Sequence, residues 1–122
     1  MTEDNKATLL KGNAAIAEGN YEEFIALCTD DTEWTFVGDT TFKGKEAVRQ
    51  WMARSYTEPP KVTVDDLIAE GDFLTAVGMV TMKDENSKAI DYSYCDVWRF
   101  RNGKLAELKA FVIKAEPHPQ DI

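Results

Sequence analysis

In the first half of the chain, hydrophobic residues recur at the three- and four-residue spacing of helices. An apolar stripe along residues 5–18 predicts an amphipathic helix that ends at Gly19. A shorter stripe predicts a second helix over residues 21–28. A third helix opens at residues 42–46 and must end before Pro59, because proline disfavours helix at itself and at the residue that precedes it.

Elsewhere the hydrophobic pattern changes to strict alternation. Residues 32–37 alternate apolar and polar side chains as a half-buried strand does, and a polar loop at residues 38–41 follows. Beyond the prolines, four strands rich in Val, Ile, Thr and aromatic residues are predicted at residues 61–70, 73–83, 90–101 and 104–114. Short turn-forming segments separate them, and Asn102-Gly103 is the strongest hairpin signal. We therefore expect one domain over residues 1–122 with an α+β fold, in which the sheet is an antiparallel meander.

The stretch that leads into the Asn-Gly turn places a carboxylate among aromatic rings. If side chains alternate along this strand, one face carries, in order, Tyr92, Tyr94, Asp96, Trp98 and Phe100. An ionised carboxylate is costly to bury without partners. This face therefore either meets water at a rim or lines a cavity in which the acid is paired or protonated.

Four aromatic residues are the lining that we expect around an apolar ligand, namely Trp34, Phe36, Trp51 and Trp98. As a group they serve equally well as an ordinary core. Asn13 lies on the apolar side of the first helix, where its amide either faces a ligand or is satisfied by the backbone.

Asp96, Tyr94 and Tyr92 are the candidate catalytic residues. Desolvation favours the neutral form of a carboxyl group, so Asp96 is a candidate general acid or hydrogen-bond donor. It is equally a candidate for a buried acid that fixes nearby backbone or meets Arg49 or Arg54. Tyrosines at strand spacing more often belong to the core or rim, with their hydroxyls in water.

Three further acids have a functional and an ordinary interpretation. Asp39, in the loop after the first strand, is either a base that reaches over the pocket mouth or a turn residue. Asp65 and Asp66 either bind a cation or blunt the edge of a strand.

Composition and charge exclude several classes of function. A formal charge of -8 and a pI near 4.6 oppose nucleic-acid binding, which requires clustered Lys and Arg. The only histidine is His118, so one chain can form neither a histidine-based triad nor a multi-histidine metal site. There is no Cys-x-x-Cys, phosphate-loop or Gly-x-Gly fingerprint, and we expect no cofactor and no metal.

The chain also lacks the features of secreted and membrane proteins. The N-terminus has no signal-peptide pattern, and no apolar run is long enough to span a bilayer. We therefore expect a cytoplasmic protein with no membrane partner. In a reducing compartment Cys28 and Cys95 are expected to be buried free thiols.

The order of these elements, together with several short motifs, resembles the nuclear transport factor 2-like superfamily, in particular its ketosteroid isomerase and SnoaL-like polyketide cyclase branch. The resemblance covers about residues 5–113 and is carried by residues 17–21 (AEGNY), 30–34 (DDTEW), 43–48 (KGKEAV) and 96–104 (DVWRFRNGK). It implies a cone-shaped, curved antiparallel sheet with three N-terminal helices that enclose a deep apolar pocket. It also implies a homodimer, which such proteins often form through the outer face of the sheet.

The resemblance further implies roles for individual positions. Asp96 falls where ketosteroid isomerases have a protonated Asp in the oxyanion hole, in a similar Asp-Val-x-Arg-Phe context. The position of the catalytic base holds Phe36 and that of the oxyanion tyrosine holds Gly12, so steroid isomerisation by that route is not expected. Limonene epoxide hydrolase, on a similar fold, uses an Arg between two Asp residues. The positions that face Asp96 on the last strand are instead apolar, and we expect them to contact a ligand: Leu108, Ala110 and Val112.

Three functions remain open at this point. The first is a small-molecule pocket protein that acts on an apolar metabolite through Asp96, as a cofactor-independent isomerase, cyclase or hydratase. The second, favoured by Phe36 at the position of the base, is a non-catalytic binding domain for a small apolar ligand. The third is a dimerising scaffold with a collapsed core and no ligand.

Overall fold

The computed structural model describes residues 2–115, so His118 lies outside the described residues. It contains three helices, α1 (Thr2–Ala17), α2 (Tyr21–Ala26) and α3 (Lys45–Ser55). The strands of the described range are β1 (Cys28–Phe36), β2 (Thr40–Lys43), β3 (Lys61–Glu70), β4 (Phe73–Lys83), β5 (Ala89–Arg101) and β6 (Lys104–Lys114). The α+β fold class is confirmed. No helix in this part of the chain is long and apolar enough to cross a membrane.

The six strands form one curved sheet in the order β2-β1-β6-β5-β4-β3. The predicted antiparallel meander is confirmed for β3, β4, β5 and β6, whereas β1 pairs in parallel with β6. Hydrogen bonds from the Leu105 N–H to the Leu27 carbonyl and from the Val37 N–H to the Ala110 carbonyl, 2.9 and 3.0 Å long, extend this pairing at both ends. Turn residues in the sequence identify hairpins, whereas the pairing of two strands that are distant in sequence has no such local signal.

Two predicted boundaries around β1 are wrong. Helix α2 ends at Ala26, and Cys28 begins a strand because it docks beside Leu105 on β6. The predicted loop at residues 38–41 and the start of the predicted third helix contain β2, which pairs Phe42 with Trp34 across a tight turn. The four later strands agree with the prediction to within one residue at each end.

Alternation along β5 gives the sheet two different faces. On the concave face, Tyr94, Trp98 and Phe100 are buried against the helices, whereas Arg99 and Arg101 are exposed on the convex face. Shifts of register in β1, β3 and β6 mark bulges, which bend strands and increase their twist. The curvature that encloses the helices follows from these irregularities.

Aromatic rings join the helices to the concave face. Trp34 meets Trp98 edge-on with ring centres 5.5 Å apart, and Phe24 of α2 meets Trp34 in the same way at 5.8 Å. On the other side of Trp34 lies Trp51 of α3, which also stacks on Phe36 at 4.9 Å. Such pairs stabilise by about 0.5–1.5 kcal/mol each beyond the area they bury.

The close approach of Tyr94 to β3 depends on a glycine. Gly78 lies between Tyr94 and Thr63, and a Cβ atom there would be 2.0 Å from the Thr63 carbonyl oxygen. Because Gly78 has no side chain, the Tyr94 hydroxyl crosses β4 and donates a 2.7 Å hydrogen bond to that carbonyl. Tyr94 thus ties three strands together at the bulge in β3.

We predict that Tyr94→Phe lowers the free energy of unfolding by about 1–2 kcal/mol, because the Thr63 carbonyl loses its hydroxyl partner. Urea unfolding measures this change. The control is Tyr92→Phe, which removes a hydroxyl that makes no hydrogen bond within residues 2–115 and should change stability by less than about 0.5 kcal/mol. Equal losses in the two variants would contradict a structural role for the Tyr94 hydroxyl.

Candidate ligand cavity

A cavity of about 390 Å³ lies between the helices and the concave face of the sheet. It is bordered by every residue that the sequence singled out as catalytic or ligand-binding. These are Asn13, Trp34, Phe36, Trp51, Tyr92, Tyr94, Asp96, Trp98, Leu108, Ala110 and Val112. The concave face brings these residues together because they occupy alternate positions on β1, β5 and β6, opposite α1 and α3.

The cavity has an open end and a closed end. Val37 and Val112 are 48% and 40% exposed at the open end, where Asp39 also lies on the turn between β1 and β2. Trp34 and Trp98 are each 4% exposed and belong to the closed end. Asp96 lies roughly halfway between mouth and floor, because it is about 7 Å along β5 both from Tyr94, which pairs with Val112, and from Trp98.

Asp96 lies in a cross-strand row with Ala110 and Phe36. Within residues 2–115 its carboxyl group makes no hydrogen bond and no ion pair. The predicted alternative of a partner at Arg49 or Arg54 is wrong. Arg49 pairs with Glu22 at 2.7 Å on the surface, and the Arg54 guanidinium lies over the ring of Phe42.

The environment of Asp96 disfavours its charged form. Protein atoms surround the side chain on most sides, and only the cavity gives water access to it. This burial raises the pKa of Asp96 to about 7. Both protonation states are therefore populated near neutral pH.

The phenols near Asp96 respond to its charge. Burial, followed by the charges of Asp96 and Asp65, raises the pKa of Tyr94 to about 12. Burial, followed by the charge of Asp96, also raises the pKa of Tyr56. Both phenols remain protonated at neutral pH, and the Tyr94 proton is engaged with the Thr63 carbonyl.

Tyr56 is a cavity residue that sequence reasoning missed. It follows the last residue of α3, so neither the helical nor the strand period indicates where its side chain points. Its ring packs on Trp51 at 5.2 Å and on Tyr21 at 5.5 Å. A cluster of aromatics just before Pro59 is the one sequence signal that marks it.

Other lining residues come from elements that the sequence assigned to the core or placed without a role. They are Leu9, Ile16, Phe24, Val37, Thr40, Phe42, Met52, Ser55, Val62, Ala76, Val80 and Met82. An apolar residue that touches a void and one that touches another side chain have the same sequence pattern. Periodicity therefore cannot distinguish them.

Packing around Gly12 shows why no tyrosine stands there. A Cβ atom at Gly12 would lie 2.7 Å from the ring of Phe24, so this ring occupies the space of any larger side chain. The next residue of α1, Asn13, borders the cavity, and its amide makes no hydrogen bond within residues 2–115. The backbone therefore does not satisfy this amide, which faces the cavity.

The remaining candidate acids lie apart from Asp96. Asp39 is exposed at the mouth, where its backbone N–H donates to the Phe36 carbonyl in a turn. Asp65 and Asp66 are exposed at the bulge of β3, the edge strand. Among the described residues, no group of three or more His, Cys, Asp or Glu side chains is arranged to hold a metal ion.

We predict that Asp96→Asn stabilises the protein increasingly as the pH rises from about 4 to 7. In the unfolded chain Asp96 loses its proton near pH 4, whereas the folded protein retains it to about pH 7. Over this range the folded state of the wild type binds more protons than its unfolded state, so its stability falls with rising pH, by up to about 4 kcal/mol in total.

The asparagine variant lacks this titration. The difference in unfolding free energy between the two proteins, measured in urea at pH 4.5, 6 and 8, should therefore grow and then level off above pH 7. A difference that stays constant across this range would show that Asp96 has an ordinary pKa.

Comparison with solved structures places the chain among nuclear transport factor 2-like proteins. A protein of this kind of unknown function from Cytophaga hutchinsonii ATCC 33406 is 24% identical, with 88% of this chain and 97% of that chain covered and a TM-score of 0.71. Bal32a, from a soil-derived mobile gene cassette, is 22% identical, with 91% and 90% covered and a TM-score of 0.81. SalBIII, an epoxide hydrolase/cyclase-like enzyme with a role in pyran ring formation in the polyether salinomycin, is 18% identical, with 90% and 91% covered and a TM-score of 0.83.

These likenesses show the fold. No curated protein matches the chain significantly. The family profile of the SnoaL-like domain, however, matches residues 11–108, which include α2, α3, the strands β1 to β5 and the first half of β6. Its fold is the one seen in nuclear transport factor 2-like proteins, and the chain belongs to the SnoaL-like domain family.

Proposed function

We propose that the cavity binds a small, largely apolar molecule and that Asp96 transfers a proton to or from it. The observation that carries the proposal is the carboxyl group of Asp96, which has no partner within residues 2–115 and lies on the wall of a cavity that is otherwise mostly apolar. A volume of about 390 Å³ lies within the range typical of small-molecule sites, about 300–1,000 Å³. SalBIII, on the same fold, is an epoxide hydrolase/cyclase-like enzyme, which supports a small molecule as ligand.

The raised pKa of Asp96 suits acid–base work at neutral pH, because the group exchanges its proton easily in either direction. A single carboxylate can remove a proton from one atom of the ligand and return it to another, and it ends in its starting state. Such a proton shift needs no cofactor. It belongs to the chemistry of an isomerase, cyclase or hydratase.

Binding without catalysis is the second candidate function. Phe36 cannot act as a base, and the Tyr94 hydroxyl donates its hydrogen bond to the backbone carbonyl of Thr63 rather than to a ligand in the cavity. A proton-transfer site usually has a second polar group that stabilises the developing charge. Asp96 would then hold a polar group of the ligand in place.

We predict that the neutral ketone β-tetralone binds saturably and that Ala110→Leu weakens this binding about tenfold or more, because the larger side chain fills the cavity beside Asp96. Quenching of tryptophan fluorescence reports the binding. Ala89→Leu is the control, since it makes the same change at an exposed position outside the cavity. Equal binding by all three proteins, or no saturable binding to the wild type, would contradict the proposed site.

The same ketone separates the two candidate functions. If Asp96 transfers protons, the wild type should accelerate deuterium exchange at the carbon beside the ketone in D₂O, as followed by NMR, and Asp96→Asn should abolish the acceleration. Asp66→Asn changes the net charge equally on an exposed residue and should keep the wild-type rate. Binding without any exchange by the wild type would favour the non-catalytic function.

We also propose that the convex face pairs with a second copy of this chain. Val77, Cys95 and Phe111 form a cross-strand row on this face, and Val97 follows Cys95 on the same face of β5. Phe111 and Ile113 are 43% and 69% exposed. Exposed charges of both signs border the patch on β5 and β6, including the Arg99–Glu107 ion pair, so two copies related by a two-fold axis can be complementary.

We predict that Cys95→Lys converts a dimer into a monomer, because it places a charge between Val77 and Phe111, in the centre of this patch. Sedimentation velocity at micromolar concentration measures the species. Glu70→Lys, at the exposed end of β3, is the control and should remain dimeric. A wild type that sediments as a monomer would contradict the pairing.

A further inference from the structure

The ionisable side chains that line the cavity are all acids or phenols. They are Asp39, Tyr56, Tyr92, Tyr94 and Asp96, and among residues 2–115 no Lys, Arg or His borders the space. The two arginines of α3 have partners of their own, since Arg49 pairs with Glu22 and the Arg54 guanidinium lies over the ring of Phe42. An anionic ligand would therefore meet carboxylates and no compensating charge.

The charge of the whole chain acts in the same direction. With a formal charge of -8, the protein attracts cations to its surface and repels anions. An anionic ligand is thus disfavoured both on approach and inside the cavity. Neutral and cationic ligands remain.

Of neutral and cationic ligands, the surroundings of Asp96 favour a cationic one. Its oxygens make no hydrogen bond within residues 2–115, so an ionised Asp96 lacks every donor that a buried carboxylate requires. Two aromatic side chains, Tyr94 and Trp98, occupy the neighbouring inward positions of β5. Phe36 lines the cavity two strands away in the same row, beyond Ala110 and about 10 Å across the sheet. A carboxylate flanked by aromatic rings supplies both forces that hold an ammonium group, namely a charge-assisted hydrogen bond and the attraction of a cation to ring electrons.

We infer that the ligand of this cavity carries a protonated amine on an apolar body, with the ammonium group on Asp96 and the body among the aromatic rings toward the mouth. The inference rests on the cavity-binding part of the proposed function and adds the charge of the ligand to it. In this complex Asp96 is ionised. It anchors the ligand, or acts on it as a base.

Three probes of one length and three charges test the inference: 4-phenylbutylamine, 4-phenylbutanol and 4-phenylbutyrate. Each contains one phenyl ring, so quenching of the tryptophans can be followed without interference from a ligand indole. At pH 8 the amine should bind about tenfold tighter than the alcohol, and the carboxylate should bind weakest. The amine should lose affinity as the pH falls below 7, by up to about tenfold per unit, while the alcohol should not.

Two variants assign the effect to Asp96. Asp96→Asn should reduce the affinity for the amine to that for the alcohol, and circular dichroism verifies that it is folded. Asp66→Asn makes the same change of net charge on an exposed residue outside the cavity and should keep the preference for the amine.

The outcomes distinguish a failure of the amine inference from a failure of the proposed cavity function on which it rests. Tighter binding of the alcohol than of the amine, or an amine affinity that Asp96→Asn leaves unchanged, would overturn the inference and leave the cavity as a site for neutral molecules. Failure of β-tetralone and of all three probes to bind would overturn the proposed cavity function, and the inference with it.

Discussion

A carboxyl group that the protein surrounds but does not pair is the constraint on which this account depends. Asp96 has no basic neighbour in the cavity and no hydrogen bond within residues 2–115, so folding removes much of its water and supplies no replacement. The cost appears as a pKa raised to about 7. An isosteric asparagine would avoid the ionic part of this cost, so the acid is a feature that stability alone does not explain.

The rest of the fold holds that group at a defined depth. Trp34 contacts rings from α2, α3 and β5. These large side chains separate the helices from the sheet and leave a cavity beside the rings. Gly78 lets the Tyr94 hydroxyl reach the Thr63 carbonyl, which ties β5 to the bulged edge strand next to the acid. Gly12 makes room for Phe24 at the position where the resemblance would place an oxyanion tyrosine. Packing thus provides a carboxyl group on a largely aromatic wall without the oxyanion tyrosine of the resemblance.

The sequence predicted most of this arrangement, and its failures have physical causes. Alternation along residues 92–100 was sufficient to place Asp96 between Tyr94 and Trp98 on an inward face, because side-chain direction in a strand is a local property. The parallel pairing of Cys28 with Leu105 was not predictable in this way, since it depends on where a distant strand ends up. Tyr56 was missed because it lies just past the end of a helix. The cavity itself could not be predicted, because apolar residues have the same sequence pattern around a cavity and in a solid core.

The pKa of the Asp96 side chain in the folded protein tests the central claim most directly. An NMR titration of its carboxyl carbon in uniformly ¹³C-labelled protein, between pH 3 and 9, would measure it without any ligand or assay. The account predicts a midpoint near pH 7. A midpoint near 4, the ordinary value for an aspartate, would mean that water or an unrecognised partner already compensates the charge, and it would contradict the account.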